Sequence, residues 1–285
     1  MEKNVNNKPP RKLPFHKMIP NMITLTAMAS GMSSIKFAIA AFNLPKAEAG
    51  PKWELSVLCI VAAAFMDAFD GAAARLLKAQ SKLGAELDSF SDFVCFGVAP
   101  AIVVYLWSLD AIGRWGWTIA LLFAMATALR LARFNIASDD KDPNDPLSKY
   151  FTGVPSPMGA GLAILPLILS FLVEDPSQGL DKIADGLLHK PDLIGAWLLV
   201  AAALMVSHIP TFSTKQIRVP YKMRIIALAA FCILIASLLA DPWMTLALLA
   251  ATYLGAMPFG LIHYNRKAAA LSAGEKDPDD QDTDE

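Results

Sequence analysis

The stretch Asp67-Ala68-Phe69-Asp70-Gly71-Ala72-Ala73-Ala74-Arg75, continued by Gly84, Asp88 and Asp92, sets four carboxylates at the junction of two apolar segments. Charge placed there is costly, because lipid does not solvate it. A divalent cation is the simplest compensation. Hard cations such as Mg²⁺ and Mn²⁺ prefer carboxylate oxygens, and Mg²⁺ commonly shares its coordination sphere with phosphates. The competing reading is an ion-pair network with Arg75, Lys78 and Lys82. Four acids exceed what those exposed bases need.

Spacing supports the cation. Asp67 and Asp70 are three apart and share a helix face; Asp88 and Asp92 are four apart and do the same. Two antiparallel helices joined by the short basic loop 75–82 would bring the pairs together. Two divalent ions would then neutralise them and leave coordination positions for phosphate oxygens. Gly71, the alanines through Ala74, and Gly84 remove bulk on either side. They would admit a ligand, or equally let helices pack closely. Arg75 offers a planar fork suited to phosphate.

Outward from this motif the chain stays apolar. Of 285 residues, 55% are hydrophobic and mean hydropathy is +0.42, which argues against a water-soluble globule. Apolar runs near 20–42, 53–73, 93–110, 114–135, 154–173, 193–209, 224–240 and 243–264 approach the roughly 20 residues that cross a bilayer. The expected fold is an all-α integral membrane protein with about eight transmembrane helices. A short amphipathic N-terminal stretch, Leu13 to Ile19, would lie along the surface. Three parts are expected: a basic segment 1–17, a membrane domain 18–266 and a disordered acidic tail 267–285.

Charge distribution orients the chain. With a cytoplasmic N-terminus, the loops holding Arg75, Lys78 and Lys82, then Arg130, Arg133, Lys141 and Lys149, then Lys215, Arg218, Lys222 and Arg224, all fall inside. Arg266 and Lys267 join them. The outer side keeps Lys46, Lys52, Arg114, Lys182 and Lys190, as the positive-inside rule requires. Both termini and the acidic site are therefore expected on the cytoplasmic face of an inner membrane. The loop 174–192 is the longest outside, and 179–190 would form a short interfacial helix. No cleavable signal peptide is expected. Cys59, Cys95 and Cys232 are isolated and read as apolar fillers. His16, His189, His208 and His263 are scattered and receive no chemical role.

The pattern Asp-x2-Asp-Gly-x2-Ala-Arg-x8-Gly-x3-Asp-x3-Asp resembles the signature of the CDP-alcohol phosphotransferases at every fixed position. Three further stretches resemble the membrane-type phosphatidylserine synthases of that family: Ile19 to Leu25, Leu129 to Asn135, and Phe151 to Pro157. The resemblance implies transfer of a phosphatidyl group from CDP-diacylglycerol to L-serine, with CMP released. It implies two divalent cations (Mg²⁺ or Mn²⁺) with Asp67, Asp70 and Asp88 as principal ligands, and Asp92 as general base that also joins the metal set. Gly71, Ala74, Arg75 and Gly84 would surround the nucleotide and diphosphate, with Asn21, Thr24 and Lys78 nearby. Asn21 and Thr24 would alternatively cap a helix, and Lys78 would alternatively be a solvated lysine.

Serine carries a carboxylate, so Arg133 and Arg130 are the expected acceptor contacts, with Asn135 adding a neutral hydrogen bond. The same arginines would serve as inside anchors. The expected partners are CDP-diacylglycerol, L-serine, membrane lipid and a second copy in a homodimer; no nucleic acid is among them. Another acceptor (glycerol phosphate, inositol phosphate or choline) is the near alternative. An ion transporter is the distant one, and it would spread its acids through the membrane depth rather than cluster them at one side.

Overall fold

The computed structural model describes residues 18–139, 150–174, 188, 190–207, 210–212 and 224–272. Among the described residues nine α-helices carry the fold: α1 (Ile19–Phe42), α2 (Lys46–Leu76), α3 (Lys82–Asp92), α4 (Ala99–Trp107), α5 (Arg114–Asp139), α6 (Ser156–Glu174), α7 (Pro191–Val206), α8 (Arg224–Ala240) and α9 (Pro242–Ser272). A π-helical turn, Phe93–Val98, joins α3 to α4, so the three run as one apolar rod from Lys82 to Trp107. Each of the eight expected segments overlaps a helix. Among the described residues, five stretches are long and apolar enough to cross a membrane: Ile19–Phe42, Lys46–Leu76, Lys82–Trp107, Arg114–Ala137 and Ser156–Val173. The others, Pro191–Val206, Leu228–Ala240 and Pro242–Met257, are shorter. This is a helical membrane protein. The amphipathic stretch expected before Ile19, the interfacial helix expected at 179–190 and the acidic tail fall largely or wholly outside the described residues.

Two differences from expectation shape the site. The third apolar rod starts at Lys82, well before 93, so the helix that carries Asp88 and Asp92, as their spacing predicts, runs on unbroken into the apolar segment. Ser81 makes this possible by accepting the Gly84 backbone N–H at 3.0 Å, which caps the new helix. The second difference is a two-stranded antiparallel ribbon, β1 (Tyr150–Thr152) with β2 (Pro210–Phe212), pairing Phe151 with Thr211. Gly153 follows it with φ +83°, and a Cβ there would meet the Met205 carbonyl oxygen at 2.6 Å. Only glycine lets the chain pass α7 so closely.

α6 sits at the centre. Of its apolar stretch 72% is buried, against 22–28% for α1, α2 and α5. Leu162, Ile164 and Leu167 pack there with Val57, Val103, Phe123, Leu198 and Met205. The outward faces of α1, α2 and α5 keep Leu25, Leu58, Leu122 and Met125 exposed, as lipid-facing helices do.

α1 and α2 pack through small residues. Ser34 and Ser56 hydroxyls lie 3.0 Å apart in that seam, both fully buried. At Gly31, α1 also admits the π turn: a Cβ would come within 2.6 Å of Cys95 Sγ. Cys95 Sγ donates to the Ala27 carbonyl at 3.3 Å, and Ser91 Oγ donates to the Thr24 carbonyl at 3.3 Å. These contacts hold the acidic half of the rod against α1.

Candidate metal and nucleotide site

α2 ends at Leu76, less than two turns after Asp70. The Ala79 N–H donates to the Ala74 carbonyl at 3.0 Å and the Lys78 N–H to the Arg75 carbonyl at 3.3 Å. This is a Schellman closure, with Lys78 at φ 48° in the place glycine usually takes. The chain then turns back through Ser81 into α3. The short hairpin delivers what the spacing predicts: carboxylate oxygens of Asp67, Asp70 and Asp88 lie within 4.8 Å of one another. Asp92 joins from the next turn of α3, within hydrogen-bonding reach of Asp67.

Their environments differ. Asp70 is 4% exposed, and Thr24 Oγ1 donates to its Oδ2 at 2.5 Å. Thr24 thus orients a carboxylate, a role the sequence did not suggest. Asp88 is partly exposed at the open side. Asp92 Oδ1 is buried and has no hydrogen-bond partner. Carboxylates this close repel strongly, and a buried oxygen without a donor is costly. An all-oxygen donor set with one orphaned oxygen fits a hard divalent cation.

Beside the acids lies a cavity of about 180 Å³. It is lined by Asn21, Thr24, Asp70, Gly71, Ala74, Arg75, Gly84 and Asp88, together with residues of the 79–81 turn. Every residue expected at the nucleotide end except Lys78 lines it. The two glycines act differently. A Cβ on Gly71 would touch only Arg75 Nη1, at 3.7 Å, so that glycine keeps cavity space open. A Cβ on Gly84 would crowd Asn21 Oδ1 at 3.0 Å and Ser81 Oγ at 3.1 Å, so this glycine permits α1 and α3 to approach.

The expected acceptor residues divide. Arg133 Nη1 donates to the Val206 carbonyl at 2.8 Å, satisfying an end of α7. Asn135 Nδ2 donates to Ser89 Oγ at 3.0 Å, linking α5 to α3. Arg130 points inward instead. Its Nη1 donates to the buried Ser156 Oγ, while its Nε is buried and unpartnered. Arg130 lies within electrostatic reach of Asp92. Tyr253 of α9 is the residue that sequence reading missed: its hydroxyl is buried without a partner, near Arg130. The signal available was a phenol within the apolar stretch of that helix.

Comparison with known families agrees with this geometry. The family model described as CDP-alcohol phosphatidyltransferase matches residues 17–206. This chain belongs to the CDP-alcohol phosphatidyltransferase family. A second model of that name, CDP-alcohol phosphatidyltransferase 2, matches residues 222–258. The chain is 31% identical over 247 residues to the CDP-diacylglycerol–serine O-phosphatidyltransferase of Mycobacterium tuberculosis, covering 86% of this chain and 78% of that one. It is 30% identical over 211 residues to the protein of the same name in Helicobacter pylori, covering 74% and 78%. With the Bacillus subtilis protein of that name it shares 39% over 153 residues, covering 54% and 75%. The transferase therefore carries its acidic motif and cavity wholly within the matched family region.

Proposed function

We propose that this enzyme transfers a phosphatidyl group from CDP-diacylglycerol to L-serine, giving phosphatidylserine and CMP. The observation that carries the reading is the three-carboxylate cluster opening onto a cavity of about 180 Å³ that Arg75 lines. The names of the relatives add serine as the acceptor. A second cavity, apolar and about 340 Å³, runs past the neighbouring turns of α2 between Ala64, Phe65, Ala68, Met158 and Leu249. It suits an acyl chain, which supports a lipid-linked donor.

Two divalent cations, Mg²⁺ or Mn²⁺, held by Asp67, Asp70 and Asp88 with Asp92 alongside, would supply Lewis-acid neutralisation of the diphosphate. Arg75 binds a donor phosphate oxygen from the cavity wall. Gly71 and Ala74 let the nucleotide lie against the α2 backbone, and Asn21 and Gly84 close the opposite side. Thr24 keeps Asp70 aimed at the cluster. Asp92 accepts the proton of the serine hydroxyl as its oxygen bonds to the phosphorus bearing diacylglycerol. The bond from that phosphorus to the bridging oxygen breaks, and CMP leaves with the electron pair. Arg130 holds the serine carboxylate. The arrangement suits a site on the cytoplasmic face, where CMP and serine are soluble while the acyl chains stay in lipid.

The charge alternation supports eight crossings with both termini inside, the membrane domain spanning 18–266, and the resemblance supports a homodimer. The test is an acceptor panel. Purified enzyme in lipid micelles receives CDP-diacylglycerol with serine, glycerol phosphate, inositol phosphate or choline, with and without Mn²⁺ or Mg²⁺. Serine-dependent, metal-dependent CMP release is expected. Turnover of another acceptor in place of serine overturns the assignment, and full activity after chelation overturns the metal site.

A further inference from the structure

Among the described residues, three buried side-chain polar atoms have no hydrogen-bond partner: Asp92 Oδ1, Arg130 Nε and Tyr253 Oη. They come from α3, α5 and α9, far apart in the chain. Yet Arg130 lies within electrostatic reach of both Asp92 and Tyr253. Buried polar atoms are nearly always paired. Orphans from three helices, linked through Arg130, mark a site whose partner comes from outside the chain.

Their chemistry describes that partner. An ionised carboxylate oxygen only accepts, a guanidinium N–H only donates, and a phenol is free to donate. The complement is a molecule with one hydroxyl to give and an anionic group with at least two accepting oxygens. Serine has both, two carbons apart along its skeleton. Choline has the hydroxyl but opposes Arg130 with a second cation. Ser156 Oγ holds Arg130 Nη1, which fixes the guanidinium while its Nε stays available. Tyr253 packs against the apolar core, where a phenylalanine would fill the same space. Its hydroxyl therefore has no packing role and only a polar use justifies it.

We propose that Tyr253 and Arg130 together form the receptor for the anionic group of the acceptor, with Tyr253 as a specificity-determining residue contributed by the C-terminal helix α9. This rests on the serine-transferase reading. Asp92 takes the hydroxyl end and the Arg130–Tyr253 pair takes the carboxylate end, so the acceptor is held at both ends with its reacting oxygen at Asp92.

The test uses the full chain and Tyr253→Phe, assayed with serine and with serinamide, which keeps the hydroxyl and the ammonium and lacks the carboxylate's negative charge. The serine KM should rise about 10- to 100-fold, the loss expected for one hydrogen bond to a charged group. The KM for CDP-diacylglycerol should stay within about twofold, as no bond to the donor is lost. The preference for serine over serinamide should fall about tenfold. That preference is a ratio within one preparation, so partial misfolding does not move it. An unchanged preference overturns the proposal, as does a loss confined to Arg130→Lys with Tyr253→Phe behaving as wild type. The wild-type arm separates the two readings. If the unaltered enzyme ignores serine but uses glycerol phosphate, the serine assignment fails; Tyr253→Phe is then assayed with that acceptor, and an unchanged KM overturns the receptor as well.

Discussion

Replacing Thr24 with valine keeps the shape of a side chain that is 4% exposed and removes only its hydroxyl. That hydroxyl donates to Asp70 Oδ2 at 2.5 Å. Loss of a hydrogen bond to a charged group is worth about 1.5–3 kcal/mol, and loss of a partner that orients a metal ligand weakens metal affinity about 10- to 100-fold. The two ranges agree, since about 1.4 kcal/mol is a factor of ten. The assay is CMP release titrated against Mn²⁺ or Mg²⁺ at saturating CDP-diacylglycerol and serine. The half-saturating metal concentration of Thr24→Val should rise about 10- to 100-fold, with turnover at saturating metal within a few-fold of wild type. A direct nucleotide contact, the role its position in the motif suggested, gives a different signature: a higher donor KM and an unmoved metal curve. That outcome would refute the assignment of Thr24 to Asp70.

Asp92→Asn should cut turnover by about 10²-fold or more while leaving the donor KM within a few-fold, because the amide cannot take the hydroxyl proton; retained turnover would remove Asp92 from the chemistry. Lys78→Gly should raise the thermal midpoint, since relieving a left-handed non-glycine residue is worth about 1 kcal/mol. Its donor KM should not move; a rise would restore Lys78 as a phosphate contact. Arg133→Met should destabilise the fold by about 1 kcal/mol through the lost bond to the Val206 carbonyl. Its serine KM should match wild type, and a rise comparable to that of Tyr253→Phe would return Arg133 to the acceptor site.

The acidic cluster was legible because it depends on two local quantities. Helical spacing puts Asp67 with Asp70 and Asp88 with Asp92, and a loop too short to wander forces the pairs together. The apolar runs were legible for the same kind of reason, since a bilayer sets their length. One boundary was misjudged where polar residues continued a helix: Ser81 caps α3, so the helix bearing Asp88 and Asp92 is continuous with the apolar segment that follows. The ribbon of β1 and β2 left no trace in the pattern, because three-residue strands are too short to show a period.

Arg130, Arg133 and Asn135 show where local reasoning ends. Arg130 and Arg133 sit about 60° apart around one helix, equally basic and equally near the interface. Nothing in an apolar helix such as α5 marks its inward face. Packing against α6 and α7 made the choice, turning Arg130 toward Ser156 and Arg133 to a backbone carbonyl. Tyr253 enters the site through a helix far along the chain. Periodicity settles which side chains share a helix face; which face meets which neighbour depends on contacts between distant segments, and those exist only once the bundle has assembled.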